Sequence, residues 1–315
     1  MKTNLSENMQ GAIFMSICMA AFGINDALMK LSSQDFHLFQ AIFLRSLIST
    51  AFLGIYAWKQ RAFMIGVPKS ERKFVIMRTV GEIGGAFMFL NAIFHMPIAN
   101  ASAIMQSMPL AITLGAAIFL KEPVGWRRYL AVSIGFAGVM IIVRPGSEGF
   151  NEYSLFALGS IVLIVLRDLS TRKISRTVPS SMISFYTSVG ITLASAVTLP
   201  FIEWTPVTLS NGAPLVAAAM FLIVGYVLSV SSMRVGDIGF VSPFRYMILL
   251  WSIILGIFMF DNIPDMWTIV GSTIIVATGV YTFYREQQVA RSQKNAARSA
   301  ASRGIVIPGE RGKRI

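Results

Sequence analysis

The stretch IGGAFMFLNAIFHMPIANASAIMQSMPLAITLGAAIFL, residues 83–120, contains no Asp, Glu, Lys or Arg. A hydrocarbon core about 30 Å thick is crossed by roughly 20 apolar residues of helix. The run is therefore too long for one span and long enough for two. His95, Met96, Pro97 and Asn100 mark the turn inside it. Two buried helices joined by so short a turn point to a helical membrane protein.

The same reading extends along the chain. Residues 205–233 are also free of charge, and Pro206, Asn211, Gly212 and Pro214 place a loop ahead of the next helix. Ten spans are expected, over 11–32, 36–58, 74–94, 98–120, 129–144, 153–175, 181–201, 213–234, 238–259 and 266–285. The fifth is the shortest, lying between Arg128 and Arg144, whose side chains are expected to snorkel to the interfaces. Residues 11–32 read as a retained first helix rather than a signal peptide. The n-region holds a single lysine, and there is no convincing cleavage site of small residues.

Composition agrees. The 315 residues are 55% hydrophobic and 13% charged, against about 25% charged in a soluble domain. Disorder of the whole chain is excluded by that hydrophobicity, and a disulfide framework by the single cysteine, Cys18. The spans leave no room for a folded domain outside the membrane. Function must reside among the helices.

The net charge of +12 reads as topology. Of the 27 Lys and Arg residues, 21 fall on one side, in alternate loops and the two ends of the chain, and only Arg144 falls on the other. By the positive-inside rule both termini are cytoplasmic, as an even number of spans requires. Residues 286–315 alternate basic residues with Ser, Ala and Gly, and are expected to form a disordered cytoplasmic tail that touches anionic lipid. Nucleic-acid binding is not expected.

The chain also repeats itself. At a shift of 141, Gly115 meets Gly256, Pro123 meets Pro264, Trp126 meets Trp267 and Gly138 meets Gly279; at 142, Asp26 meets Asp168 and Lys30 meets Arg172. Each half, 11–146 and 150–285, then holds five spans. An odd number inverts the second half relative to the first, a transporter architecture with its binding site near the midplane. The expected fold class is an all-α integral membrane protein of ten transmembrane helices, arranged as two inverted five-helix repeats.

At this point the chain resembles a known family. ANASAIMQSMPLAITLGAAIFLKEPVGWRRYLAVSIGFAGVMIIVRPG (99–146) and VGDIGFVSPFRYMILLWSIILGIFMFDNIPDMWTIVGSTIIVATGVYTFYRE (235–286) are similar to the EamA group of the drug/metabolite transporter superfamily. The resemblance covers 11–286. It departs where Lys121-Glu122-Pro123 of the first half faces Asn262-Ile263-Pro264 of the second. It implies ten helices and secondary transport without fixing the substrate. Family members move amino acids, vitamins, nucleotide-like metabolites and drugs, so uptake of riboflavin or S-adenosylmethionine and export of amino acids are all allowed.

Ionisable residues inside a bilayer cost about 2.5–3.5 kcal/mol each and tend to mark a pathway. Here they are Asp26, Lys30, Arg45, Arg78, Glu82, Arg167, Asp168 and Arg245. Asp26 and Lys30, and Arg78 and Glu82, are spaced to share a helix face. Asp26 and Glu82 lie deeper than Lys30 and Arg78, which are near span ends, and are the candidates for proton coupling or charge balance. Arg45 and Arg245 have no acid one turn away, so each needs a distant carboxylate or a substrate anion or carbonyl. Tyr246, Gln106, Asn25 and Trp251 complete the candidate substrate contacts. Arg167 is expected to snorkel to the cytoplasm, and Arg167 and Asp168, being adjacent, to point apart. Gly81 and Gly85, and Ala131 and Gly135, have the spacing that lets helices approach closely.

A nucleotide-binding GxxxxGK[ST] loop is missing, as is any zinc-binding arrangement around His37, His95 and Cys18. No reactive constellation suggests an enzyme. The expectation is a secondary transporter with no cofactor and no metal, acting on a small molecule in the cytoplasmic membrane as a monomer or homodimer. A membrane-embedded enzyme and a non-transporting receptor remain the competing classes.

Overall fold

The computed structural model describes residues 7–64, 66–119, 121, 126–145, 151–171, 173–175, 177–235 and 241–302. Pro123 and Arg172, two of the repeated positions, lie outside them, as do 303–315 of the basic tail. The described residues form helices and no strand: α1 (Glu7–Leu31), α2 (Leu38–Lys59), α3 (Arg72–His95), α4 (Ile98–Met105), α5 (Met108–Phe119), α6 (Trp126–Val143), α7 (Tyr153–Thr171), α8 (Ser180–Thr198), α9 (Leu209–Val235), α10 (Met247–Phe260) and α11 (Met266–Ser302). Eight helical segments are long and apolar enough to cross a membrane, and two shorter apolar helices, Tyr129–Val143 and Met266–Thr282, stand at the fifth and tenth expected positions.

The turn at Met96-Pro97 falls where expected, with the Pro97 carbonyl accepting from the Asn100 and Ala101 amides. The fourth span, expected to be continuous, is broken at Gln106-Ser107. Pro109 supplies the reason. It has no N–H to give the Met105 carbonyl four residues back, yet fits the first turn of a new helix. Ser107 closes the break, its hydroxyl donating to the Ile104 carbonyl at 2.8 Å and its carbonyl accepting from Leu110 and Ala111. The ninth span is also irregular: Ser242–Tyr246, with Pro243 at its start, is a 3-10 turn leading into α10.

α11 runs on to Ser302. Residues 286–302 are rich in Ala and Gln and hold no Gly or Pro, a composition that favours helix. One further expectation is corrected: Arg144 does not simply snorkel. It pairs with Asp265, whose Oδ1 accepts from the Thr268 amide at 2.9 Å and caps α11.

The closest helix pairings are α1 with α9, α3 with α7, α2 with α8 and α6 with α11. α3 and α7 approach so tightly at Gly81 that a Cβ there would lie 2.6 Å from the Leu163 carbonyl oxygen and 2.9 Å from the Arg167 nitrogen. Gly138 of α6 and Gly271 of α11 meet backbone to backbone in the same way. The largest apolar core gathers Met29, Ile42, Leu90, Ile93, Ile104 and Ile161 from α1, α2, α3, α4 and α7.

Candidate functional site

One turn of α1 organises the first cluster. Asn25 Nδ2 donates to Asp26 Oδ1 at 2.9 Å, and Arg45 of α2 reaches Asn25 Oδ1 through Nη1 at 3.4 Å. All three are buried, at 3%, 8% and 8% exposure. Arg45 supplies the charge facing Asp26, while its Nε has no hydrogen-bond partner among the described residues. Gly23, on the same turn, lets Trp251 of α10 pack against the α1 backbone, a Cβ there lying 3.2 Å from the Trp251 Cβ. The Trp251 indole nitrogen is likewise unpartnered.

The second cluster joins α3 to α7. Arg167 Nη1 donates to both oxygens of Glu82 at 3.3 Å, and its Nε donates to Asp168 Oδ1 at 2.7 Å. Arg78 lies 3.9 Å from Glu82 and donates to the Thr187 hydroxyl of α8. Two arginines and two carboxylates thus form one charge-balanced network. This corrects two expectations. Arg167 points into the bundle because Glu82, on the facing helix, offers a countercharge that lipid cannot. Arg167 and Asp168 do not point apart, because the long guanidinium side chain folds back onto its neighbour.

Lys30 is also placed differently from its sequence spacing. Its ammonium donates to the Ile93 and Met96 carbonyls at 2.8 Å each and lies 5.5 Å over the Phe260 ring, rather than pairing with Asp26. The end of α3 leaves carbonyls without helical partners, and a cation there also meets the negative end of the helix dipole.

The remaining candidates are spread over the broken helices. Gln106 sits at the α4–α5 break, 8% exposed, with its amide nitrogen unpartnered. Arg245 and Tyr246 lie on the 3-10 turn. Arg245 is exposed and makes no hydrogen bond or ion pair among the described residues; Asp168 is the carboxylate within its electrostatic reach. The turn that carries Arg245 packs against α1, where Cys18 also lies within its electrostatic reach.

Two features escape a reading of charges alone. Tyr226 of α9 is 48% exposed, yet it feels the charges of Glu82, Arg167, Arg45 and Arg78 and meets Phe22 edge-on at 5.7 Å. Its ring is thus within electrostatic reach of both clusters. Its signal was a lone tyrosine in the apolar run FLIVGYVLSV. The other feature is a hydroxyl ladder between α2 and α8: Thr50 with Ser188 at 2.7 Å, Thr50 with Thr192 at 3.0 Å, and Thr192 with Ser46 at 3.0 Å. The shared Ser-x-x-x-Thr spacing, Ser46–Thr50 and Ser188–Thr192, was its signal.

Among the described residues no group of three or more His, Cys, Asp or Glu side chains converges as a metal site. A groove of about 370 Å³ lies between α6 and α11, lined by Trp126, Arg127, Leu130, Ile134 and Tyr281 among others. None of the clustered charges lines it.

A charged interior threaded through apolar helices is a transporter's arrangement, and sequence comparison agrees. Residues 9–144 match the EamA-like transporter family. The S-adenosylmethionine uptake transporter of Rickettsia bellii is 28% identical over 272 residues, 84% of this chain and 90% of that protein. The riboflavin transporter of Vibrio cholerae is 25% identical over 299 residues, 92% and 98% respectively. One solved crystal structure shares the fold, with a TM-score of 0.60 at 17% identity over 86% of this chain and 95% of its own. The chain is a multi-pass membrane protein with transporters as its relatives.

Proposed function

We propose that the protein is a secondary active transporter of the cytoplasmic (inner) membrane, moving a small metabolite by alternating access rather than catalysing a reaction. Ten membrane helices would form two inverted halves, 11–146 and 150–285, with both termini cytoplasmic. The observation that carries this reading is the pattern of packing. A shift of 142 residues turns α1 into α7, α2 into α8 and α3 into α9. It therefore exchanges the α1–α9 and α3–α7 pairings and returns α2–α8 to itself. The hydroxyl ladder obeys the same rule, since Ser46 and Thr50 shift onto Ser188 and Thr192. Each half also carries an irregular stretch near this position, the break at Gln106-Ser107 in the first and the 3-10 turn Ser242–Tyr246 in the second, as in transporters whose sites are built from discontinuous helices.

In this reading Arg45, Asn25, Gln106, Trp251, Arg245 and Tyr246 contact the substrate, and Asp26 and Glu82 couple protons or balance charge. The unpartnered nitrogens of Arg45, Gln106 and Trp251 are all donors, which favours a substrate bearing carbonyl or carboxylate oxygens. Uptake of S-adenosylmethionine or of a vitamin such as riboflavin is the leading proposal, because relatives carry those names. Export of an amino acid or related metabolite is the alternative. Purified protein in proteoliposomes is expected to move at least one member of a panel of S-adenosylmethionine, riboflavin and amino acids. Chemical conversion without flux, or ligand binding without flux, overturns the proposal.

A further inference from the structure

Asn25-Asp26 and Arg167-Asp168 occupy equivalent places in the two halves, 142 residues apart. They also make the same local contact. In each, the first side chain donates to the carboxylate of the next residue, Asn25 Nδ2 to Asp26 Oδ1 at 2.9 Å and Arg167 Nε to Asp168 Oδ1 at 2.7 Å. In each, that first residue is also tied to a charge on the facing helix, Asn25 to Arg45 and Arg167 to Glu82. The contact between sequence neighbours is thus duplicated in space, while the charge beyond it comes from different helices, Arg45 from α2 and Glu82 from α3.

Their surroundings differ. Asp26 is 8% exposed and lies five residues from the end of α1 at Leu31. Beyond it that end is sealed by Lys30 on the Ile93 and Met96 carbonyls, by Ser252 bonded to Ser102 at 2.7 Å and by Thr268 bonded to Asn100 at 3.1 Å. The Asp168 side chain is 30% exposed, near the opposite end of the bundle at Thr171, and the exposed guanidinium of Arg245 lies within its electrostatic reach. One carboxylate is shut in and its counterpart is open.

We infer that Asp168 is the second carboxylate of the transport path, the partner of Asp26 in the other half, and that the two take turns at facing water. In the state described here Asp168 faces the cytoplasm and Asp26 is sealed. When inverted halves exchange conformations, each adopts the other's arrangement, so Asp26 opens to the outside as Asp168 closes. Arg45, 8% exposed with Nε unpartnered, has a donor free for whatever enters beside Asp26 in that second state. The inference rests on the transporter reading above.

The test uses the full chain with Cys18→Ser, which removes the only thiol, reconstituted in sealed vesicles of known orientation. Asp26→Cys and Asp168→Cys are labelled separately with a bilayer-impermeant, positively charged methanethiosulfonate. The cysteine placed at 168 is expected to react from the cytoplasmic face roughly tenfold faster than the one at 26, and the one at 26 faster from the outer face than from the cytoplasmic one. Saturating S-adenosylmethionine or riboflavin, whichever the parent moves, is expected to change the two rates in opposite senses. Labelling in detergent after denaturation counts the thiols, and size-exclusion elution identifies folded protein. In parallel, Asp168→Asn is expected to lose net uptake by roughly tenfold while Asp168→Glu keeps part of it. Labelling of both positions from one face at equal rates, or parental uptake by Asp168→Asn, overturns the inference while leaving transport intact. Absence of flux by the parent on the whole panel overturns the transporter reading itself.

Discussion

Arg45 and Asp26 lie wholly inside the bundle, where neither charge has water to fall back on. Removing one partner of such a pair leaves an uncompensated charge, which costs roughly 3–5 kcal/mol in buried pairs. Arg45→Ala is therefore expected to lower the melting temperature in detergent markedly. Adding Asp26→Asn should recover at least half of that loss, because the orphaned charge is gone. A double-mutant cycle of thermal unfolding reads this directly, and additive losses would show that the two residues do not interact. Asp265 makes a contrasting case at the protein surface. Burial pushes its carboxyl up, but the hydrogen bonds from Thr268 and the Arg144 guanidinium outweigh this and hold it below the usual carboxylate range. A carboxyl depressed in the folded state stabilises above its unfolded value of about 3.9, and the stabilisation is lost as pH falls through the folded value. Melting temperature is expected to drop on acidification below about pH 4 more steeply in the parent than in Asp265→Asn.

At the scale of helices, the α3–α7 contact depends on what lies opposite each glycine. A methyl at Gly81 would meet backbone, the Leu163 carbonyl at 2.6 Å, whereas one at Gly84 would meet the tip of the Leu163 side chain at 2.8 Å. Backbone cannot rotate away and a leucine methyl can. Gly81→Ala is expected to destabilise by about 1–3 kcal/mol and Gly84→Ala by under about 1 kcal/mol, measured by thermal unfolding. Equal losses would mean that the helices simply move apart. The contrast also marks where sequence stops being informative. Span positions were legible because hydropathy over about 20 residues is a one-dimensional signal. The spacing of Gly81 and Gly85 announced a close contact, but nothing local named α7 as its partner. Likewise Asp26 with Lys30 looked like a pair, yet Lys30 serves the end of α3 because free carbonyls there bind an ammonium well. Arg167 was misjudged for the same reason: its partner Glu82 is 85 residues away. The break at Gln106-Ser107 was readable in principle from Pro109, but a proline one turn into a helix and a proline inside a span look alike until the start of α5 is known.

For the whole molecule, the proposed exchange of two inverted halves would separate contacts into two kinds. Those that map onto themselves under the 142-residue shift, such as the Ser46–Thr50 ladder with Ser188–Thr192, belong to both states. Those that map elsewhere belong to one. Ser102 with Ser252 is of the second kind, since the same shift carries it to Phe244 with Leu110, at the opposite end of the bundle. Locking each kind should then have opposite consequences. The Thr50 and Ser188 hydroxyls are 2.7 Å apart, as are those of Ser102 and Ser252, so paired cysteines at either place fall within reach of a disulfide. On the Cys18→Ser chain, oxidised Thr50→Cys/Ser188→Cys is expected to retain most of its flux. Oxidised Ser102→Cys/Ser252→Cys, held shut at the outer end, is expected to lose it by roughly tenfold or more. Reduction should restore the second to the level of its unoxidised control, which excludes misfolding as the cause. If both bridges block transport, α2 and α8 do not lie on the axis of exchange. If neither does, the Ser102–Ser252 contact is not part of a gate, and alternation must proceed around some other closure than the one these helices make.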